Sequence, residues 1–202
     1  DIEIKVDNKF LMSPKDLKTI HFLNKLIDSG VRVLKIEGRA RGPEYVKTVV
    51  ECYNEAINSY IDGTFSEEKI MNWDERLKTV FNRGFWNGYY LGQRLGEWSS
   101  TYGSEATKRK VYIGKGMKYF SKLGVAEFLV ETKVGVNKGD ELLIIGPTTG
   151  VIELKAENMQ VDYKEADRCK RGELFSIAVP CKIRPSDKLY KLVDASEVPN
   201  NQ

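Results

Sequence analysis

Val31-Arg32-Val33-Leu34-Lys35-Ile36-Glu37-Gly38-Arg39-Ala40-Arg41 is the stretch on which the fold turns. Val31 to Ile36 is rich in β-branched residues and follows a predicted helix after almost no loop, which reads as a buried strand packed against that helix. The strand runs into opposite charges beside a glycine. Polar residues at the C-terminal end of a strand are where open and closed α/β folds place ligands. One strand of this kind cannot bury itself, so its neighbours come from this chain, from another chain, or from a segment outside it.

Upstream, Glu3 to Met12 alternates around Asp7-Asn8, a pair that tolerates the positive φ of a tight hairpin turn. Ser13 then reads as a helix cap, with Pro14 at the first position and Asp16 closing a capping box. Met12 and Leu17 stand where a hydrophobic staple would form. Leu17, Ile20, Leu23 and Ile27 recur at helical spacing, and Gly30 ends the pattern. Downstream, Gly42-Pro43-Glu44 opens a helix whose face is Val46, Val49, Val50, Tyr53, Ala56, Ile57 and Tyr60, stopped by Gly63. Ser66 caps a third helix carrying Ile70, Trp73, Leu77 and Val80 or Phe81. Residues 1–81 therefore read as an α/β segment.

Residues 82–107 change character. Gly84, Gly88, Gly92 and Gly96 alternate with Phe85, Trp86, Tyr89, Tyr90 and Trp98, a glycine density that disfavours helix. This is read as a linker whose rings either pack between domains or offer a stacking surface. From residue 108 the period becomes β: Val111–Ile113, Val125–Val130, Leu142–Ile145, Val151–Leu154, Leu174–Val179 and Leu189–Leu192. Glycine turns punctuate these runs at Lys138-Gly139-Asp140, Pro147-Thr148-Thr149-Gly150 and Arg171-Gly172-Glu173. Six short strands at such spacing predict a small closed barrel over 108–193, followed by a frayed tail over 194–202.

A chain of 202 residues with 41% hydrophobic and 30% charged residues is ordinary for a globular protein. No apolar run approaches the roughly 20 residues of a membrane-spanning helix, and no signal segment opens the chain. The first residue, Asp1, falls directly on a strand-like pattern, as in a processed or excised polypeptide. The net charge of +3 is too weak to argue for nucleic acid alone. Residues 1–107 hold about 15 basic and about 16 acidic side chains, against about 17 and about 13 beyond, so the second half is mildly basic.

Cys52, Cys169 and Cys181 are odd in number and lack metal-ligand spacing, and His21 is the sole histidine. A reduced, cytoplasmic protein is the expectation, with neither a zinc site nor a Ser-His-Asp triad. Glu37, Arg39 and Arg41 are the leading candidates for a site. The two arginines could fork onto a carboxylate or phosphate, and Glu37 could pair with one of them or act as a base if buried. An ion-pair network holding the strand end explains the same residues. Lys15 and Lys18 read as exposed lysines, and Asp16 as a capping residue. Arg83 in Asn82-Arg83-Gly84-Phe85 suits either phosphate contact or interdomain bonding. Lys115, Lys118, Lys122 and Tyr119-Phe120 give the second half a basic, aromatic edge of the kind that binds single strands.

Leu11-Met12-Ser13-Pro14-Lys15-Asp16-Leu17, Leu34-Lys35-Ile36-Glu37-Gly38-Arg39, Glu44-Tyr45-Val46 and Asn82-Arg83-Gly84-Phe85 together resemble the collagenase-like peptidase family of unassigned catalytic type. Tyr119-Phe120-Ser121-Lys122-Leu123-Gly124-Val125-Ala126 looks like that family's C-terminal barrel, itself similar to the second domain of translation elongation factors. The resemblance implies the last βα units of a TIM-like barrel, a linker, and a small antiparallel β-barrel. Family members are named as proteases, while relatives serve in hydroxylation of tRNA, ribosomal RNA or the ubiquinone ring. The function expected is a C-terminal contribution to RNA base hydroxylation by a longer protein, the alternatives being an RNA- or protein-binding module or a peptidase. The chain alone is expected to be inactive, to hold no cofactor, and to take RNA as partner. The family's iron–sulfur cluster would belong to upstream cysteines. The open strand is expected to meet either the missing N-terminal half of the barrel or a second copy.

Overall fold

The computed structural model describes residues 13–198. The chain divides into two compact units, Asp1–Thr107 and Lys108–Gln202. The expected Glu3–Met12 hairpin and the last four residues of the tail lie outside the described residues.

The first unit contains β1 (Asp16–Leu17), a 3-10 turn (Ile20–Phe22), α1 (Leu23–Asp28), α2 (Pro43–Ile61), α3 (Glu67–Lys78) and β2 (Phe85–Trp86). Pro43 sits at the first position of α2, where its missing N–H costs nothing, and Gly42 before it is extended. Val49, Cys52 and Ala56 form the buried face of α2, at helical spacing. Gly63, at φ +68, ends the helix in the left-handed conformation. The Ser66 hydroxyl accepts the Lys69 N–H at the start of α3, whose first turn is acidic and last turn basic, complementing the helix dipole. Ile20, Leu23, Ile70, Trp73 and Leu77 close a core against α2. Both long helices follow their sequence signals.

Two expectations are corrected. The helix does not start at Ser13. The N–H groups of Lys15, Asp16 and Lys18 donate to the carbonyls of Glu97, Gly84 and Trp86 at 3.0, 2.9 and 2.9 Å, so the capping-box residues form β1, parallel to β2. Partners distant in sequence thus take the donors that a first helical turn would have left open, and α1 begins only at Leu23. Nor is Val31–Ile36 a buried strand. Among the described residues it has no strand partner, and Val33 is 83% exposed. Exposed Val33, Lys35 and Glu37 still alternate with half-buried Leu34 and Ile36, so the period of two survives without a ladder.

The second unit contains β3 (Lys108–Phe120), β4 (Val125–Val130), β5 (Val136–Asn137), β6 (Glu141–Gly146), β7 (Gly150–Lys155), β8 (Gln160–Val161), β9 (Lys164–Glu165), β10 (Arg168–Cys169), β11 (Leu174–Ala178) and β12 (Lys188–Asp194). Eight of these form one antiparallel sheet, in the order β7-β6-β12-β3-β4-β11-β8-β9, while β10 pairs with β5. The expected strands are present, but the closed barrel is corrected to an open sheet, because β7 and β9 at its ends do not pair. Between β8 and β9, Asp162 and Tyr163 both take positive φ, the geometry of a tight hairpin turn, and the two-residue arms leave too short an edge for closure. Lys164 and Glu165 are exposed on that end strand, a charged edge that discourages further pairing. Ile152 of β7, Ile144 of β6, Leu189 of β12, Phe128 of β4 and Phe175 of β11 nonetheless share one core, with the two phenylalanine rings stacked at 5.6 Å.

Asp187 pins one end of this sheet. It is only 2% exposed, and its Oδ2 accepts from the Thr149 hydroxyl at 2.6 Å and the Arg184 N–H at 2.8 Å. A Cβ on Gly146 would lie 1.9 Å from Asp187 Oδ1, so that position has no room for a side chain. Gly146→Ala is therefore expected to lower the stability of the second unit by about 1–3 kcal/mol, the usual cost of overpacking. Denaturant unfolding of the full chain checks this. A transition with unchanged midpoint would show that Asp187 does not hold the sheet end.

Candidate functional site

The site is built on the short parallel pairing of β1 with β2. Asp16 enters β1, and the turn before β2 is fixed by Asn82, which is 4% exposed. Asn82 Nδ2 donates to the Val80 carbonyl at 2.9 Å, and its Oδ1 accepts the Gly84 N–H at 3.1 Å. Gly84 has φ +76, a conformation that side chains other than glycine's rarely adopt. This turn brings Arg83 to Asp16. The Arg83 N–H donates to Asp16 Oδ2 at 3.1 Å, and Arg83 Nη2 lies 3.4 Å from Asp16 Oδ1.

Arg41 reaches the same carboxylate from the segment before α2, with Nη2 2.9 Å from Asp16 Oδ1. Its guanidinium lies 4.1 Å from the centre of the Phe81 ring and 5.4 Å from that of Tyr45, so it is held by aromatic faces as well as by charge. One carboxylate thus organises two arginines. The Asp16 and Arg41 side chains are 16% and 13% exposed, which strengthens their interaction relative to a surface pair.

Glu37 and Arg39 stand apart from that network. Glu37 Oε1 accepts the Arg39 N–H at 2.8 Å, and both residues are exposed. Glu37 is therefore tied to a local turn and is not the buried base that the sequence left open. Even so, Glu37, Arg39, Arg41 and Arg83 all line one open cleft of about 800 Å³, whose wall includes Val31, Leu34 and Ile36. Tyr45, Tyr53 and Tyr90 line it too. Burial raises the Tyr45 hydroxyl above its ordinary pKa, with Asp16 adding to the shift. Burial also raises that of Tyr53, whose oxygen accepts the Thr19 N–H at 3.0 Å.

The sequence reading missed the central residue. Asp16 was read as a cap because S-x-x-D precedes an apolar periodicity, and only the pairing with residues 84–86 reveals its other use. Lys18 is also corrected: its Nζ is 2.8 Å from Asp74 Oδ2 and 4.8 Å from the Phe85 ring centre, with the side chain 13% exposed. Lys15 is 2.7 Å from Glu97. His21 lies in the 3-10 turn, edge-on to Phe22, and its pKa is lowered by burial and then by Lys18. In the second unit, Tyr119 packs on the core, Lys115 is 2.8 Å from Glu131, and Lys118 lies over Phe120.

The three cysteines are free, with Cys52 and Cys169 buried and Cys181 exposed. Cys52 is buried in the α2 core with its thiol pushed up to about 11 by burial, and burial pushes Cys169 up to about 12. No group of three or more potential metal ligands occurs among the described residues. No described helix is long and apolar enough to cross a membrane.

An α/β unit with an arginine-rich open cleft, followed by an antiparallel β unit, is the class that fold and site define. Residues 2–100, spanning the cleft, match the profile described as Peptidase family U32. The chain belongs to that family. It is 60% identical over 190 residues to a protein named Collagenase from Porphyromonas gingivalis, covering 94% of this chain and 46% of that protein. It is 29% identical over 188 residues to tRNA hydroxylation protein P1 of Bacillus subtilis, covering 92% and 44%. Among solved structures, the C-terminal domain of a U32 peptidase from Geobacillus thermoleovorans matches 40% of this chain and 90% of its own, at 18% identity and TM-score 0.37. The chain thus spans about half the length of the curated relatives it matches.

Asp16→Asn keeps the shape and removes the charge that holds both arginines. It is expected to destabilise the first unit by roughly 1–3 kcal/mol, the cost of uncompensated, half-buried cations. Thermal unfolding checks this, and a melting temperature equal to that of the unmodified chain would remove Asp16 from its organising role.

Proposed function

We propose that this chain forms one wall of the active site of a longer protein that hydroxylates a base of tRNA or ribosomal RNA. The carrying observation is that a β-branched stretch with no strand partner among the described residues helps to line a cleft that also holds Arg39, Arg41 and Arg83. In this reading Val31–Ile36 is a strand of a TIM-like barrel whose neighbours lie in the preceding half of that protein. The site is completed when those strands dock, and in the isolated chain a second copy takes their place. Iron–sulfur chemistry, where the longer protein uses it, draws its ligands from that other half, because this chain has no suitable set. A cytoplasmic location goes with this reading, supported by three free cysteines.

The relatives named for tRNA hydroxylation support this reading. The chemistry of the cleft supports it as well, since forked cations beside exposed rings suit a nucleotide. A peptidase is the second reading, favoured by the 60% identical relative named Collagenase. The lining of the cleft contains no serine, cysteine or histidine, and its one threonine, Thr19, is bonded to Tyr53, so an activated nucleophile has no obvious source there.

Arg39→Ala in the full-length protein separates the two. Arg39 is exposed and outside the Asp16 network, so the variant is expected to fold normally and to lose at least about tenfold in hydroxylated nucleosides, as measured by mass spectrometry of cellular tRNA and ribosomal RNA. Unchanged RNA hydroxylation, together with lost cleavage of a collagen peptide, would establish the peptidase reading instead.

A further inference from the structure

We propose that Arg39 and Arg83 clasp a phosphodiester of single-stranded RNA, with Asp16 positioning Arg83 and Tyr90 stacking on the adjoining base. This deepens the RNA reading above and rests on it. Among the described residues four cations line the cleft, Lys35, Arg39, Arg41 and Arg83, against two carboxylates, Asp16 and Glu37. Both carboxylates are committed, Asp16 to two arginines and Glu37 to the Arg39 N–H. The described lining of the cleft therefore carries more cations than carboxylates.

The four cations are not equivalent. Arg41 is held between Phe81 and Tyr45 and bonded to Asp16, so its part is to support the cleft wall. Arg83 is only partly used. Its Nη2 is at the long distance of 3.4 Å from Asp16, and its Nε is a buried donor with no hydrogen-bond partner. With the side chain 32% exposed, the guanidinium still presents terminal N–H donors that a phosphate in the cleft can engage. Asp16 fixes the backbone of Arg83 as well as one of its terminal nitrogens, which sets the direction of the fork. Arg39 contributes an exposed cation on the same cleft.

The ring beside these cations selects the ligand class. Tyr90 is 61% exposed and backed by buried Phe22, with ring centres 6.1 Å apart. An exposed ring fixed from behind is a platform on which a base can stack, as aromatic side chains do in single-strand binding. In the second unit, Lys108, Lys115, Lys138 and Lys191 are paired with Glu141, Glu131, Glu165 and Asp140 respectively.

The test measures fluorescence anisotropy of a labelled ten-nucleotide oligouridylate with the 202-residue chain, at low and moderate salt. Each phosphate contact on a single strand contributes about 0.7 to the logarithmic salt slope. Arg39→Gln combined with Arg83→Gln is expected to weaken binding at least about tenfold and to flatten the slope by about 1.4. Tyr90→Ala is expected to weaken binding with the slope unchanged. Arg83→Lys, which keeps the charge, is expected to keep the slope. Should the double variant fail to fold, the exposed Arg39→Gln alone is expected to flatten the slope by about 0.7. Affinity and slope equal to those of the unmodified chain would overturn the clasp, and so would displacement of the RNA from the arginines by a Gly-Pro-rich peptide with a free carboxylate. If the clasp fails while the full-length protein still hydroxylates RNA, the RNA reading stands. If the clasp binds RNA and the full-length protein modifies none, that reading falls instead.

Discussion

Every backbone N–H and C=O of a protein needs a partner or water, and along the site Val31–Ile36 is the β-patterned stretch that has no strand partner among the described residues. Val31 N–H still donates to the Leu26 carbonyl, and Arg41 N–H to that of Gly38. Between them the chain keeps the alternation of a strand, with no strand beside it among the described residues. β-branched residues with both edges open are a template for pairing, and natural proteins do not leave such templates exposed without means of covering them. Val31, Val33, Leu34, Lys35 and Ile36 of this stretch form part of the cleft wall.

The charged network depends on the same geometry. Asp16 can face Arg41 only because residues 15–18 give their N–H groups to residues 84–97, which holds the segment extended. Had Ser13 capped a helix, the Asp16 carboxylate would have turned toward its own backbone and both arginines would have lacked their acid. The short β1–β2 pairing thus determines the electrostatics of the cleft. It also explains why Arg83 arrives with a donor to spare: the Asn82–Gly84 turn fixes where its backbone lies, and the carboxylate it meets is already shared with Arg41.

Much of this was legible in the amino-acid sequence. Periodicity and caps located α2 and α3, and the glycine-punctuated β runs located six strands of the second unit. Arg41 and Arg83 were recognised as candidates, and they meet on one carboxylate. Three features were not legible. Asp16 carried a complete capping signature, and only contacts from residues 84–97, distant in sequence, overrode it. Val31–Ile36 had every local property of a strand, but ladder formation depends on a neighbour that local pattern cannot reveal. Even spacing of strands suggested a closed barrel, yet closure depends on the lengths of the end strands, and β8 and β9 have two residues each.

The central claim is that Val31–Ile36 is a strand edge completed by the preceding half of a longer protein. Backbone amide hydrogen exchange at residues 32–37, compared between this chain at low concentration and the full-length protein, tests it most directly. The account predicts exchange near the unprotected rate in the chain, and slowing of at least about a thousandfold in the full-length protein, as for a ladder in a stable core. Equally fast exchange in both would contradict it, because the stretch would then be a loop and not a strand awaiting its neighbours.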